Sequence, residues 1–195
     1  MSELLLGCGF SRAKLLGQNG HPLEFRNLIT LDFNRNCKPD ILCNIDQDHH
    51  DLHWEIEEAN EKAAPFVEQD DEQVFFKEAV FDEVHAYEVL EHLGRQGDAE
   101  SFFNCFSNIH RILVPGGFLF ATVPSRHSPW VWGDPSHRRV IQQESLVFLD
   151  QERVAQNRKR GTQMSDFSDL WNLNFKILAS SDDHIYHKFC LQAVK

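Results

Sequence analysis

The chain has 195 residues, of which 42% are hydrophobic and 25% are charged, and its formal net charge is −11 at pH 7. A chain of this length and composition can bury a full core, so we expect residues 1–195 to form one globular domain. The acidic balance argues against a dedicated nucleic-acid-binding domain, because such domains are usually basic.

The cysteine pattern and the N-terminus indicate a reducing compartment. The five cysteines are an odd number and none forms a C-x-x-C pair, which excludes a zinc framework and a disulfide scaffold. The start, MSELLLGCGF, lacks the basic region and long apolar stretch of a signal peptide. No apolar run approaches the roughly 18 residues that span a bilayer. We therefore expect a cytoplasmic protein that does not enter membranes.

The first predicted elements surround a glycine turn. The apolar run Glu3–Leu6 predicts a buried strand that ends at Gly7-Cys8-Gly9. Ser11 can cap a short helix to Leu16. Further strands are expected over Leu28–Leu31, with Asp32 at its end, and over Ile41–Asn44.

The rest of the chain alternates between segments with the pattern of strands and segments with the pattern of helices. Residues 46–80 predict one helix, over Glu55–Ala64, and an acidic loop. The later expected elements are strands over Glu83–Tyr87 and Phe118–Val123, helices over Asp98–Leu113 and Gln143–Arg158, and an antiparallel pair over Phe175–Ala179 and Ile185–Val194. This alternation predicts an α/β fold with a mainly parallel sheet.

The glycine turn and Asp32 indicate a nucleoside ligand. A backbone of glycines passes close to a ligand after the first strand, and a carboxylate at the end of the second strand can accept hydrogen bonds from both ribose hydroxyls. A dinucleotide site needs a third glycine where this chain has Arg12. A cofactor without a pyrophosphate does not need that glycine.

Two phrases carry a family resemblance. Residues 81–93 read FDEVHAYEVLEHL and residues 111–119 read RILVPGGFL. In this order and spacing they resemble the class I S-adenosylmethionine-dependent methyltransferases, specifically the group with FDxVxxxxVLEHL followed by a Pro-Gly-Gly turn. The L-G-C-G turn and the D-P-S-H phrase at 134–137 are also similar to that group, and the likeness covers about residues 4–149.

The resemblance implies a Rossmann-like, doubly wound, mainly parallel sheet of seven strands with an antiparallel last strand. It also implies S-adenosyl-L-methionine as the cofactor. The residue roles that it implies are Gly7, Cys8 and Gly9 under the methionine part, Asp32 and Phe33 at the ribose, Asn44, Ile45 and Asp46 at the adenine, and Ala86 and Tyr87 facing the sulfonium.

The residues that would act on the acceptor are less distinctive. His137 and His127 follow the fifth strand, where the acceptor should lie, and His137 is our candidate base. The spacing E-x-x-E-H puts Glu88, Glu91 and His92 on one side of a helical turn. With His137 they could hold a divalent cation, an arrangement that resembles small-RNA 2′-O-methyltransferases and some ubiquinone-pathway O-methyltransferases.

The E-x-x-E-H motif also occurs in related methyltransferases that bind no metal, and in those proteins its residues cap and pack the turn. We favour that interpretation and expect no metal. A second polar cluster, with His49, His50 and His53 among several aspartates, is expected to be a solvated loop. Trp130 and Trp132 flank the acceptor side and either stack on a ring or form a hydrophobic lid.

Three functions remain open. The first is methyl transfer to O or N of an unidentified small-molecule or sugar-like acceptor. The second is an RNA or DNA methyltransferase, with the 2′-O type assisted by a metal, which we do not favour. The third is a non-catalytic cofactor-binding scaffold. The basic residues that would meet a nucleic acid are Arg138, Arg139, Arg153, Arg158, Lys159 and Arg160.

Overall fold

The structure is a computed structural model that describes residues 1–18, 23–46, 53–70, 72–167 and 170–195. Its strands are β1 (Glu3–Leu6), β2 (Leu28–Asp32), β3 (Ile41–Leu42), β4 (Glu58–Ala59), β5 (Val67–Asp70), β6 (Gln73–Phe76), β7 (Phe81–Tyr87), β8 (Leu113–Pro124), β9 (Phe175–Asp182) and β10 (Tyr186–Ala193). Its α-helices are α1 (Ala99–Ile112), α2 (Trp130–Gly133), α3 (Gln143–Leu146) and α4 (Gln151–Lys159).

The main sheet has the strand order β4-β3-β2-β1-β7-β8-β10-β9. Strands β3, β2, β1, β7 and β8 are parallel neighbours, whereas β10 runs antiparallel to both β8 and β9. The predicted mainly parallel α/β sheet with an antiparallel closing strand is therefore confirmed. The sheet has eight strands rather than seven, because the short β4 pairs antiparallel to the edge strand β3.

One face of the sheet is apolar and packs against α1. Alternate residues of the central strands, Leu4, Leu6, Val84 and Ala86, belong to one buried cluster with the apolar side of this helix. Asp98 caps α1, since its carboxylate accepts from the Ser101 N–H at 3.1 Å. The predicted helix is confirmed.

The opposite face of β1 and β7 is polar and buried. Lys14 Nζ lies 2.8 Å from Glu3 Oε2 and 2.7 Å from Glu83 Oε2, and all three side chains are at most 5% exposed. Leu16 N donates to the Tyr87 hydroxyl at 3.1 Å. The predicted helix over residues 11–16 is wrong, because an irregular segment brings Lys14 onto this face instead.

Two other helix predictions also needed correction. The segment 55–64 is not a helix: buried Trp54 and Ile56 alternate with exposed residues, and the Ile56 N–H donates to the Val74 carbonyl at 2.7 Å. The predicted helix over 143–158 is divided, because Asp150 ends one turn and caps α4.

Candidate functional site

The carboxyl ends of β1, β2 and β7 meet at one edge of the sheet, where the glycine turn lies. Gly7 has a φ of +56°, and a Cβ there would lie 2.4 Å from Cγ2 of Val89. Gly9 has a φ of +48° with open space around a Cβ. Arg12 stabilises the turn, because its guanidinium donates hydrogen bonds to the carbonyls of Gly9 at 2.6 Å and Cys37 at 2.8 Å.

Asp32 ends β2 beside this turn and is 5% exposed. Its Oδ2 accepts from the Gly9 N–H at 2.7 Å, and its Oδ1 accepts from the Asn34 N–H at 2.8 Å. A carboxylate has about four lone-pair sites, so both oxygens keep acceptor capacity for a ligand.

A cleft of about 500 Å³ opens between these strand ends. It brings together six of the predicted cofactor residues: Gly7, Asp32, Phe33, Asn44, Ile45 and Asp46. Its other lining residues are Leu31, Cys43, Glu88, Val89, His92, Leu93, Ser136 and Arg138.

Four predicted cofactor residues do not line the cleft. Cys8 is buried, burial raises its thiol pKa to about 11, and Gly9 lies beyond the cleft wall. Ala86 is fully buried in the apolar core. The Tyr87 hydroxyl lies 2.7 Å from His85 Nδ1, on the polar face of the sheet.

The residues that follow β7, rather than its last two residues, therefore line the cleft. Its last residues alternate between the two faces of the sheet, and the cleft begins at Glu88, where the chain turns with a φ of +55°. Glu88 and Val89 replace Ala86 and Tyr87 on the cleft wall. The predicted end of the strand at Tyr87 is the sequence signal that could have identified Glu88 and Val89 as cleft residues.

A cluster of carboxylates and imidazoles adjoins the cleft. His137 Nε2 lies 3.8 Å from Glu91 Oε1, and His92 Nε2 lies 4.0 Å from the same oxygen. The His92 and His137 ring centroids are 4.7 Å apart. One ligand atom from each of Glu91, His92 and His137 lies within 4.8 Å of the others. Glu88 lines the adjoining cleft and interacts electrostatically with Glu91 and His137.

Within the part of the chain that the structure describes, several buried polar atoms of this region have no hydrogen-bond partner. These are Oε1 of Glu88, both carboxylate oxygens of Glu91 and Nδ1 of His137. Burial, together with the nearby carboxylates of Glu88 and Asp134, raises the pKa of Glu91 to about 8. Of the four residues named from E-x-x-E-H and His137, the structure thus brings together Glu91, His92 and His137, and the charge of Glu88 acts on Glu91.

Three residues that we predicted near the acceptor, Trp130, Trp132 and His127, lie in the segment between β8 and α3. Trp130 and Trp132 of α2 are 65% and 68% exposed, and the turn that follows them carries His137. His127 lies against His184 with ring centroids 5.2 Å apart, near the β9–β10 turn. Of the predicted polar loop around His49, His50 and His53, only His53 lies among the described residues.

Sequence reasoning missed the structural role of Arg138 and Arg139. Arg138 lines the cleft and pairs with Asp46, whereas Arg139 is 7% exposed and bonds to backbone carbonyls. Arg153 pairs with Asp150, and Arg158 pairs with Asp166. The predicted basic face is therefore largely neutralised within the chain.

The cleft fits S-adenosylmethionine in the chemistry of its lining. Gly7 keeps the turn free of a side chain, and Asp32 presents carboxylate oxygens at the end of β2. Phe33 is 72% exposed beside the Asn44–Asp46 loop, where a planar base can lie against its ring. These residues would hold the methionine, ribose and adenine parts in that order.

Comparisons with known proteins bear on the type of domain and on its fold. The methyltransferase-domain family model matches residues 25–121. The structure of 1,6-didemethyltoxoflavin-N1-methyltransferase from Burkholderia thailandensis, with bound 1,6-didemethyltoxoflavin and S-adenosylhomocysteine, is 14% identical with a TM-score of 0.50, over 100% of this chain and 71% of that one. The trans-methyltransferase CalH, in complex with SAH, is also 14% identical with a TM-score of 0.50, over 98% of this chain and 51% of that one.

At such low identity these two structures show a shared fold. No curated protein matches the chain in sequence. Among the described residues, no helix combines the length and apolar character needed to cross a membrane. The methyltransferase-domain match and the shared methyltransferase fold both support an S-adenosylmethionine-dependent methyltransferase of class I.

Proposed function

We propose that this methyltransferase moves the methyl group to a hydroxyl oxygen of a small, ring-bearing, sugar-like acceptor. In this proposal a divalent cation held by Glu88, Glu91, His92 and His137 binds the acceptor. The observation that carries it is the pair of unpartnered Glu91 carboxylate oxygens, buried 3.8 Å and 4.0 Å from two imidazole nitrogens.

The electrostatics of the cluster favour a cation. A buried charge is expensive unless it is paired, and in proteins such charges are paired or coordinate metals. Burial raises the pKa of Glu88, and it raises the pKa of Glu91 to about 8, so both carboxylates lack a partner that would stabilise their charge. Carboxylate and imidazole ligands together suit Mg²⁺, Mn²⁺ or Zn²⁺. The proposal departs from our expectation from the sequence, which was that these residues only pack the turn.

The position of the cluster suits the transfer. His92 belongs to the cluster and also lines the cofactor cleft, and Glu88 lines the cleft beside it, so an acceptor held there would lie beside the bound cofactor. The cation would lower the pKa of a coordinated hydroxyl. The chain itself orients the acceptor and excludes water, and orientation of this kind supplies on the order of 7–11 kcal/mol in favourable models.

The exposed indoles support a ring-bearing acceptor. Trp130 and Trp132 lie just before the turn that carries His137, and an exposed aromatic face offers a surface for a sugar or a base. The runner-up function is methylation without a cation, in which His137 acts as general base toward an O or N acceptor.

Cation titration and methyl transfer distinguish these functions. The wild-type protein is stripped with a chelator, Mn²⁺ is titrated by calorimetry, and methyl transfer from labelled S-adenosylmethionine is measured on hydroxylated and amino ring compounds. We expect Mn²⁺ binding, and transfer to hydroxyls only when a divalent cation is restored. Glu91→Gln should lose both, whereas the exposed-site control Glu68→Gln should keep both.

Three results would contradict the proposal. If the wild-type protein did not bind Mn²⁺, the proposed cation site would be wrong. Transfer that persists in chelator but fails in His137→Asn would favour the base mechanism instead. Binding of S-adenosylmethionine without transfer to any acceptor class would favour the scaffold function.

A further inference from the structure

Arg139 is a buried cation that forms no ion pair with a described carboxylate. Its Nε donates to the Leu93 carbonyl at 2.9 Å, and its Nη2 donates to the carbonyls of Arg95 at 2.9 Å and Asp98 at 3.1 Å. The same nitrogen donates to Ser101 Oγ at 2.8 Å. The guanidinium therefore closes the loop between the Glu91 turn and α1.

The backbone next to Arg139 holds the His137 segment against the Glu91 turn. The N–H groups of Arg138 and Arg139 donate to the Glu91 carbonyl at 2.8 Å and 3.1 Å. Gln96 N donates to the Arg138 carbonyl at 2.9 Å, which adds a bond between the two segments. His137 precedes these residues directly, so its position follows theirs.

The glycine at position 94 leaves the space that the Arg139 guanidinium occupies. Gly94 has a φ of +65°, and a Cβ there would lie 2.8 Å from Arg139 Nη2 and 2.0 Å from Ser101 Oγ. The Arg139 guanidinium also lies over the Phe102 ring, 5.3 Å from its centroid. A planar fork can meet several acceptors in fixed directions, which an ammonium group cannot do.

We propose that Arg139 is a positioning residue that sets His137 and His92 against Glu91, and so determines the cation affinity of the cluster. The proposal rests on the proposed function. Arg139 acts through the Leu93–Asp98 loop and through its own N–H bond to Glu91, and its guanidinium contacts none of the four cluster side chains.

A pair of neighbouring variants tests this assignment. Arg139→Lys keeps the charge but loses the fork, and supporting residues of a metal site typically change affinity by about 10–100-fold. We expect Mn²⁺ affinity to fall by that factor, while S-adenosylmethionine affinity stays within about twofold, since Arg139 does not line the cleft. Arg138→Met should do the opposite, because Arg138 lines the cleft and pairs with Asp46.

Calorimetry with each ligand alone and a thermal melt give the readouts. Unchanged Mn²⁺ affinity in Arg139→Lys, with normal binding in the wild type, overturns the inference alone. Equal loss of both ligands also overturns it, because it shows a general structural role. If the wild type binds no Mn²⁺, the proposed function and this inference fail together. Should Arg139→Lys not fold, Ser101→Ala removes one acceptor of the guanidinium and should give a smaller loss of Mn²⁺ affinity, and no loss overturns the inference.

Discussion

At the scale of single residues, the two glycines of the first turn have different requirements. Both adopt positive φ, at +56° for Gly7 and +48° for Gly9. A side chain at Gly7 would overlap Val89, whereas one at Gly9 would meet open space. The backbone conformation therefore explains both glycines, and close packing against Val89 explains only the first.

This difference predicts unequal effects of two alanine substitutions. Gly9→Ala should lower the free energy of unfolding by about 1–2 kcal/mol, the cost of a left-handed conformation. Gly7→Ala should lower it by about 1–3 kcal/mol more, because of overpacking, and should also weaken S-adenosylmethionine binding. Urea denaturation and calorimetry measure both effects, and equal losses in the two variants would contradict the packing argument.

At the scale of elements, a buried polar network fastens the segment after the glycine turn to β1 and β7. His85 is fully buried and its Nε2 lies 3.1 Å from Glu83 Oε2. A carboxylate only accepts, so Nε2 carries the proton and Nδ1 accepts from the Tyr87 hydroxyl. Glu3 and Glu83 are matched here by Lys14.

The network predicts loss of stability in acid in two steps. Burial lowers the pKa of His85 below its usual 6.5, so its contribution is present above about pH 6.5 and declines as the pH falls, because the unfolded chain takes up the proton first. Although burial opposes it, hydrogen bonds from His85 and Lys14 lower the pKa of Glu83 from 4.5 to about 2. Its contribution is complete above pH 4.5 and is lost as the pH falls toward 2.

Urea denaturation across this pH range checks both steps. Glu83→Gln should be less stable than the wild type at pH 7, and the difference should shrink below pH 4.5. A difference that stays constant down to pH 3 would show that the Glu83 charge does not contribute.

Asp150 and Asp98 provide a second comparison between elements. Each caps a helix, but Asp150 Oδ2 also accepts from the Ile177 N–H of β9 at 3.2 Å. Asp98→Ala should lower the free energy of unfolding by about 1 kcal/mol, as for a typical N-cap. Asp150→Ala should lower it by about 1–3 kcal/mol more, because it leaves a buried N–H unpaired. Chemical denaturation measures both losses. Equal losses of unfolding free energy in the two variants would show that the Ile177 N–H finds another hydrogen-bond acceptor.

At the scale of the whole molecule, the net charge of −11 argues against a nucleic-acid partner. Within the described residues, Arg138, Arg153 and Arg158 pair with carboxylates, and Arg139 is buried. We expect the protein to bind single-stranded RNA or DNA more weakly than about 10⁻⁴ M at physiological salt, which is the weak end of non-specific binding. Fluorescence polarisation measures this, and micromolar binding that weakens steeply with salt would contradict it.

The sequence by itself determined the main strands in chain order, the mainly parallel sheet, α1, the glycine turn and most of the loop residues that line the cleft. These features follow from local rules: the apolar alternation of β7, the three- and four-residue spacing of α1 and the special conformation of glycine. It also named Glu88, Glu91, His92 and His137, because their spacing is a local pattern. Their convergence was not visible in it.

Only the tertiary structure decided what depends on distant partners. Lys14 meets Glu83 across 69 positions of the chain and displaces the expected helix, and Arg139 reaches the Leu93 carbonyl 46 positions away. The approach of His137 to Glu91 likewise exists only because the segment that carries His137 lies against the Glu91 turn. Burial and long-range pairing set these energies, and neither is a property of a local sequence window.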